Sequence, residues 1–182
     1  NTDARPKMVH AILRDLPIKL DIQKVIIKNG YVSYEERPEN TAPRSGLIYF
    51  DNLEASIEGM TNSKEQLEKS DEMILEAQGR LIGKGLINLK VNYSLNDTTG
   101  KFTMNGSIGK MDLAGLNDII EPATKVSLKQ GTVNSVFFNL TANDKEGAGD
   151  LIVKYEDLEI EILDKNFGHD QNIFQRLGSF LA

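Results

Sequence analysis

The sequence predicts a mainly β fold: a curved, largely antiparallel sheet of about ten strands, with three short helices that cap or flank it. Two observations support this prediction. Apolar and polar residues alternate over long stretches, most clearly from Ile87 to Leu95, and such alternation is typical of strands with one buried and one wet side. Clusters of Gly, Asn, Asp and Pro separate these stretches, as expected for the turns between antiparallel strands.

The N-terminal part begins with a predicted helix over residues 6–16, because apolar residues recur there at helical spacing between Pro6 and Pro17. Residues 35–46 and 61–72 are polar and predict loops. Between these segments the apolar period is two, which predicts strands at 18–22, 25–34, 47–50 and 53–57.

The rest of the chain continues the β pattern and adds two helices. Alternation predicts strands at 73–81, 87–95, 102–108, 126–128, 136–142, 151–155 and 158–162. Asp112 is a candidate N-cap of a short helix that we expect to end before Pro122. A last helix is predicted over 170–181, where the apolar residues are Ile173, Phe174, Leu177, Phe180 and Leu181.

The domain prediction is a single β-rich domain over residues 1–182. We expect this chain to be an excised segment of a larger protein, because it lacks an initial methionine and stops at the apolar Phe180-Leu181-Ala182. Each half contains a helix, a proline, a strand, a glycine and a further strand. This echo suggests two β repeats, at about 6–110 and 111–182.

Composition argues against several function classes. The chain has 21 basic and 27 acidic residues and a net charge of −6, so we expect no nucleic-acid partner, which would require a basic face. It has no cysteine and only two histidines, His10 and His169, which we expect to be surface or partly packed residues. We therefore predict no metal and no cofactor.

Motifs for catalysis are weak, and we expect no enzyme. Ser107 and Lys110 match a Ser-x-x-Lys pattern, but that chemistry needs the serine at a helix N-terminus, and here it closes a predicted strand. The glycines of 79–85 resemble a phosphate-binding loop, but no Ser or Thr follows Lys84. Glycines within a β stretch more often mark a bulge or bend.

The long apolar face of the sheet is the remaining candidate site. One interpretation is an ordinary core covered by helices or a second sheet. The other is a groove for acyl chains, since exposed apolar surface of this extent usually marks a binding site. No charge interrupts the candidate lipid-groove residues Ile87, Leu89, Val91, Phe102, Met104, Phe138 and Leu140.

Several stretches of the chain resemble AsmA-like proteins, a family related to the TamB type. The resemblance covers about residues 16–165 and consists of spaced glycines and aromatic residues. The matching stretches are Leu16 to Ile22, Val25 to Glu36 with its Asn29-Gly30-Tyr31-Val32, Gly46 to Ile57, Asp112 to Asn117, Pro122, Gly131, and Gly149 to Leu158.

The resemblance implies a function in the envelope of Gram-negative bacteria. AsmA-like proteins have a periplasmic β-rich body and an inner-membrane anchor, which this chain lacks, and they are similar to the repeating β-groove proteins that transfer lipid. The implied function is non-enzymatic envelope and outer-membrane biogenesis. The implied partners are a phospholipid or other acyl-chain lipid, neighbouring segments of the same protein, and the inner membrane through the anchor. The alternative is a structural or protein-interaction β domain with a closed core and no ligand.

Overall fold

The computed structural model describes residues 9–36 and 45–163. These ranges contain the strands β1 (Asp21–Glu36), β2 (Gly46–Thr61), β3 (Glu72–Leu81), β4 (Gly85–Ser94), β5 (Phe102–Ile108), β6 (Met111–Asp112), β7 (Val126–Ala142) and β8 (Gly147–Ile162). The helices are α1 (Val9–Asp15), α2 (Lys64–Leu67) and α3 (Asn117–Thr124), the last preceded by a 3-10 turn at Leu113–Leu116.

All strands belong to one open, antiparallel, 8-stranded sheet. Neighbours in the sheet are also neighbours in the chain from β1 to β5. The strands β5 and β6 then lie one after the other along one side of β7, and β8 pairs with the other side. Within the described residues, β1 and β8 are therefore the long edge strands of the sheet, and the two-residue β6 also pairs on one side only. The predicted mainly β, antiparallel fold is confirmed.

The described sheet has fewer strands than the expected ten or so, because several predicted breaks are bulges inside long strands. Asn52 and Asp157 lie at predicted breaks and have positive φ values of 49° and 53°, and Asn29, inside a predicted strand, has a φ of 51°. The strand register shifts around Asn29 and Asn52, as it does around Gly131, whose φ is 137°. Turns and bulges both favour Asn, Asp and Gly at positive φ, so local sequence alone does not separate them.

The helices also differ from the prediction at particular residues. Helix α2 lies in the segment predicted as a loop, and the predicted strand at 18–22 begins only at Asp21. Helix α3 continues through Pro122 instead of ending before it. It ends at Thr124, whose hydroxyl donates to the carbonyl oxygen of Ile120 and accepts from the amide of Val126, so a side chain stabilises this helix end. The predicted helix over 170–181 lies outside the described residues.

The sheet curves around α3. This helix contacts both β2 and β7. In the sheet these strands are separated by β3, β4 and β5, and in a flat sheet they would lie about 19 Å apart at the usual spacing of about 4.8 Å. A single helix reaches both strands because the sheet bends towards it.

Two hydrophobic clusters lie at opposite ends of β3. The α3-end cluster has the buried residues Leu81, Ile82, Met111, Leu113, Leu128 and Val133. The α1-end cluster has the buried residues Leu13, Met73 and Leu95. Since Leu81 and Met73 are an even number of residues apart in one regular strand, both clusters lie on the same face of the sheet.

Candidate functional site

The register of the sheet places the predicted groove residues on one face. Residues paired across antiparallel strands share a face, and residues two apart along a strand do so as well. Two apolar rows cross the middle strands: Leu75, Val91, Met104 and Leu140, and next to them Ala77, Leu89, Gly106 and Phe138. Ile87 pairs with Ile108, and Phe102 pairs with Tyr93, in rows on either side.

We call the predicted residues Ile87, Leu89, Val91, Phe102, Met104, Phe138 and Leu140 the central band. It lies on the apolar face between the two clusters, and neither cluster includes any of its residues among those described. Val91 is buried, with 4% of its surface exposed, whereas the other side chains of the band are only partly buried. The middle of the apolar face is therefore less completely covered than its ends.

Close contacts shape the surface of the central band. The Phe138 ring lies over Gly106, where an added Cβ would come within 2.5 Å of Phe138 Cζ. The rings of Tyr93 and Phe102 pack with their centroids 5.6 Å apart. Burial raises the pKa of the Tyr93 phenol above its usual value, as expected for a hydroxyl beside apolar side chains.

A groove of about 760 Å³ crosses the opposite face of the same sheet. Its lining includes Glu76, Gln78, Asn88 and Lys90, whose side chains point away from the apolar face by strand alternation. It also includes the row of paired residues Ala77, Leu89, Gly106 and Phe138. It does not include the neighbouring row of Leu75, Val91, Met104 and Leu140. We conclude that this groove opens on the polar face, with the backbone of the row from Ala77 to Phe138 as its floor.

The polar face is crossed by ion pairs between neighbouring strands. Lys90 Nζ lies 2.8 Å from Glu76 Oε1, and Lys24 Nζ lies 2.7 Å from Glu58 Oε1. The hydrogen bond from Lys90 lowers the pKa of Glu76, so this carboxylate stays charged to lower pH than an isolated one. The polar face therefore carries charged side chains, whereas the central band on the apolar face contains none.

His10 is buried, and the expectation that it is a surface or partly packed residue was wrong. It is 4% exposed, its Nε2 lies 3.4 Å from Asp144 Oδ2, and its ring packs directly on Gly100. Gly100 has a φ of 71° in the turn after β4. That turn and the β7–β8 turn form the pocket for His10, and local sequence gives no signal for a contact between segments so far apart.

The other polar motifs lie at strand ends. Ser107 is in β5 and Lys110 follows it, so the serine does not begin a helix as the Ser-x-x-Lys chemistry requires. The glycine-rich 79–85 segment is the hairpin between β3 and β4. Among the described residues, no group of three or more His, Asp or Glu side chains is placed to hold a metal ion.

Comparison with protein-family models, with curated proteins and with solved structures finds no match to this chain. The AsmA-like resemblance therefore remains a prediction from the sequence. No helix within residues 9–36 and 45–163 has the length and apolar character needed to cross a membrane.

Proposed function

We propose that this chain is a non-enzymatic module that binds or transfers an acyl-chain lipid along the central band. The observation that supports this function most directly is the placement of the band: apolar residues from the three strands β4, β5 and β7 share one face of an open sheet, outside both clusters. A surface of this kind holds an acyl chain through apolar contact alone, without a charged side chain that would have to be desolvated.

The resemblance to AsmA-like proteins supports the same proposal independently of the geometry. In this proposal the chain is a segment of a periplasmic protein that is anchored to the inner membrane and acts in outer-membrane biogenesis. Neighbouring segments of the same protein would continue the apolar face. The lipid is a phospholipid or another acyl-chain lipid.

A structural or protein-interaction domain is the second candidate. It is supported by the edges of the sheet, where Ile26 and Tyr31 of β1 and Ile152 of β8 each expose more than half of their surface. The alternative expected from the sequence is a β domain with a closed core and no ligand. The described sheet is open.

Lipid retention tests the proposed function. The chain is purified under mild conditions and its bound lipid is measured by mass spectrometry, together with the variant Leu89→Asp/Leu140→Asp. The matched control is Asn88→Asp/Thr141→Asp, which places the same charges one residue away on the opposite face. Circular dichroism establishes that each variant is folded.

We expect lipid on the wild-type chain and the control, and its loss from the apolar-face variant. A wild-type chain that retains no more lipid than an unrelated soluble protein would contradict the proposal. Equal loss from both variants would contradict it too, because lipid would then not depend on the central band. If Leu89→Asp/Leu140→Asp unfolds, the single variant Met104→Asn replaces it.

A further inference from the structure

The edge strand β8 presents several exposed apolar side chains and has no partner on its outer side in the described part of the chain. Leu151 and Ile152 are each 57% exposed and Val153 is 41% exposed. A long edge strand with exposed apolar residues readily pairs with another strand, and proteins usually prevent this with prolines, bulges or lysines. Residues 147–156 contain no proline, and the β8 bulge at Asp157 lies beyond them. They do contain one lysine, Lys154, but Asp150 of the same stretch carries the opposite charge.

We propose that β8 pairs with β8 of a second copy of this chain, as an antiparallel pair about a twofold axis through Ile152. With this axis, a residue that precedes Ile152 by a given number of positions lies opposite the residue of the second copy that follows Ile152 by the same number. Two copies then form one continuous sheet with their apolar faces on the same side. A self-complementary contact of this kind is typical of twofold dimers.

The sequence of β8 is self-complementary in this register. Asp150 lies opposite Lys154 of the second copy, and by symmetry the pair occurs twice. Neither side chain forms an ion pair within its own chain in the described structure. Cross-strand pairs of opposite charge stabilise antiparallel sheets, whereas like charges destabilise them.

The apolar face matches in the same register. Leu151 lies opposite Val153, and Tyr155 lies opposite Gly149, so that an aromatic ring covers a residue without a side chain. Ile152 lies opposite Ile152 of the second copy on the polar face. In this register the exposed side chains of Leu151, Ile152 and Val153 each contact an apolar side chain of the second copy.

Neighbouring registers are less favourable. An axis through Val153 places Asp150 opposite Glu156, and an axis through Lys154 places this lysine opposite itself, so both bring like charges together. An axis through Leu151 removes the Asp150–Lys154 pair. Charge therefore selects the axis through Ile152 among registers that differ by one or two residues.

Disulfide trapping tests the register directly, because the chain contains no cysteine. In the variant Ile152→Cys the two cysteines lie opposite each other, within the range of about 4.4–6.8 Å between Cα atoms that a disulfide spans. The matched control is Phe137→Cys. Phe137 is the β7 partner of Ile152 and is similarly exposed at 49%, but in the proposed dimer the two copies of this residue lie three strand spacings, about 14 Å, apart.

Charge reversal tests the same register in the full chain by sedimentation over a range of concentrations. We expect Asp150→Lys and Lys154→Asp each to weaken the dimer about tenfold, because two attractive pairs become repulsive. The double variant Asp150→Lys/Lys154→Asp restores the pairs and should restore the dimer. Both side chains are exposed, so we expect these substitutions to leave the fold intact.

The proposal does not depend on lipid binding. Rapid cross-linking of Ile152→Cys but not Phe137→Cys, together with rescue by the double charge variant, would support it. A chain that stays monomeric at all concentrations and does not cross-link would overturn it, and would indicate that another segment or protein covers β8. Equal cross-linking of both cysteine variants would overturn it as well, and so would a dimer affinity that the charge reversals leave unchanged.

Discussion

The ends and the middle of the apolar face are built from similar side chains but are covered differently. At the α3 end, Leu128 and Val133 are buried beneath the 3-10 turn and α3. In the central band, Leu89 and Leu140 are only partly buried and belong to neither cluster. The comparison suggests that the ends hold the fold together, while the middle is the surface available to a ligand.

The largest expected effect is the loss of a buried side chain at an end. Leu128→Ala should lower the free energy of unfolding by about 2–5 kcal/mol, because it leaves a cavity in the α3-end cluster. The same substitution in the central band, Leu89→Ala, should cost less than about 2 kcal/mol, since Leu89 loses less buried surface. Urea unfolding measures both. Equal losses would mean that the band is packed as closely as the ends.

A polar contact also holds α3 to the sheet. Asn117 Oδ1 accepts from the amide of Leu128 at 2.8 Å, and its Nδ2 donates to the Leu128 carbonyl oxygen at 2.9 Å. Asn117→Ala leaves both backbone groups without this partner, and should cost about 1–3 kcal/mol in urea unfolding. The control Asn105→Ala, on the exposed polar face, should change stability by less than about 0.5 kcal/mol. Similar losses for the two variants would argue against the role of Asn117.

The next comparison concerns two glycines near β4. At Gly106 an added Cβ would lie 2.4 Å from the backbone oxygen of Asn88, whereas at Gly109 the nearest atom would be 3.6 Å away. Gly106→Ala should therefore cost about 1–3 kcal/mol through displaced backbone and ring, and Gly109→Ala should be nearly neutral. Thermal unfolding checks this. A neutral Gly106→Ala would show that Phe138 is not held against that glycine.

The smallest expected effect is at the start of the 3-10 turn. Asp112 Oδ1 accepts a hydrogen bond of 2.8 Å from the amide of Ala114. Asp112→Ala should cost about 0.5–1 kcal/mol, and Asp112→Asn, which keeps the acceptor, should cost less. Urea unfolding of the two variants separates them. If both lose the same amount, the effect comes from the charge and not from the cap.

The faces of the sheet could be predicted from the sequence because strand alternation is local. The spacing from Ile87 to Leu95 was enough to assign Leu89 and Val91 to one side, and the register places them there. The register also brings Met104 and Leu140 beside Val91. That arrangement depends on which strands pair, and an antiparallel meander is the simplest order for strands joined by short turns.

Features that depend on distant contacts could not be predicted. Asn52 and Asp157 are residue types typical of turns. Their strands nevertheless continue, because each strand pairs with its neighbour both before and after the bulge. Burial of His10 depends on turns far away in the chain. The groove on the polar face arises from the shape of the whole sheet, which no single stretch of residues encodes.

The most direct test of the account compares two adjacent residues of β4. Leu89→Cys places a polarity-sensitive dye on the central band, and Asn88→Cys places it on the opposite face, in a chain with no other cysteine. Each labelled chain is titrated with phosphatidylcholine vesicles. The account predicts a blue shift of the emission at position 89 and little change at position 88. No shift at position 89, or equal shifts at both, would contradict it.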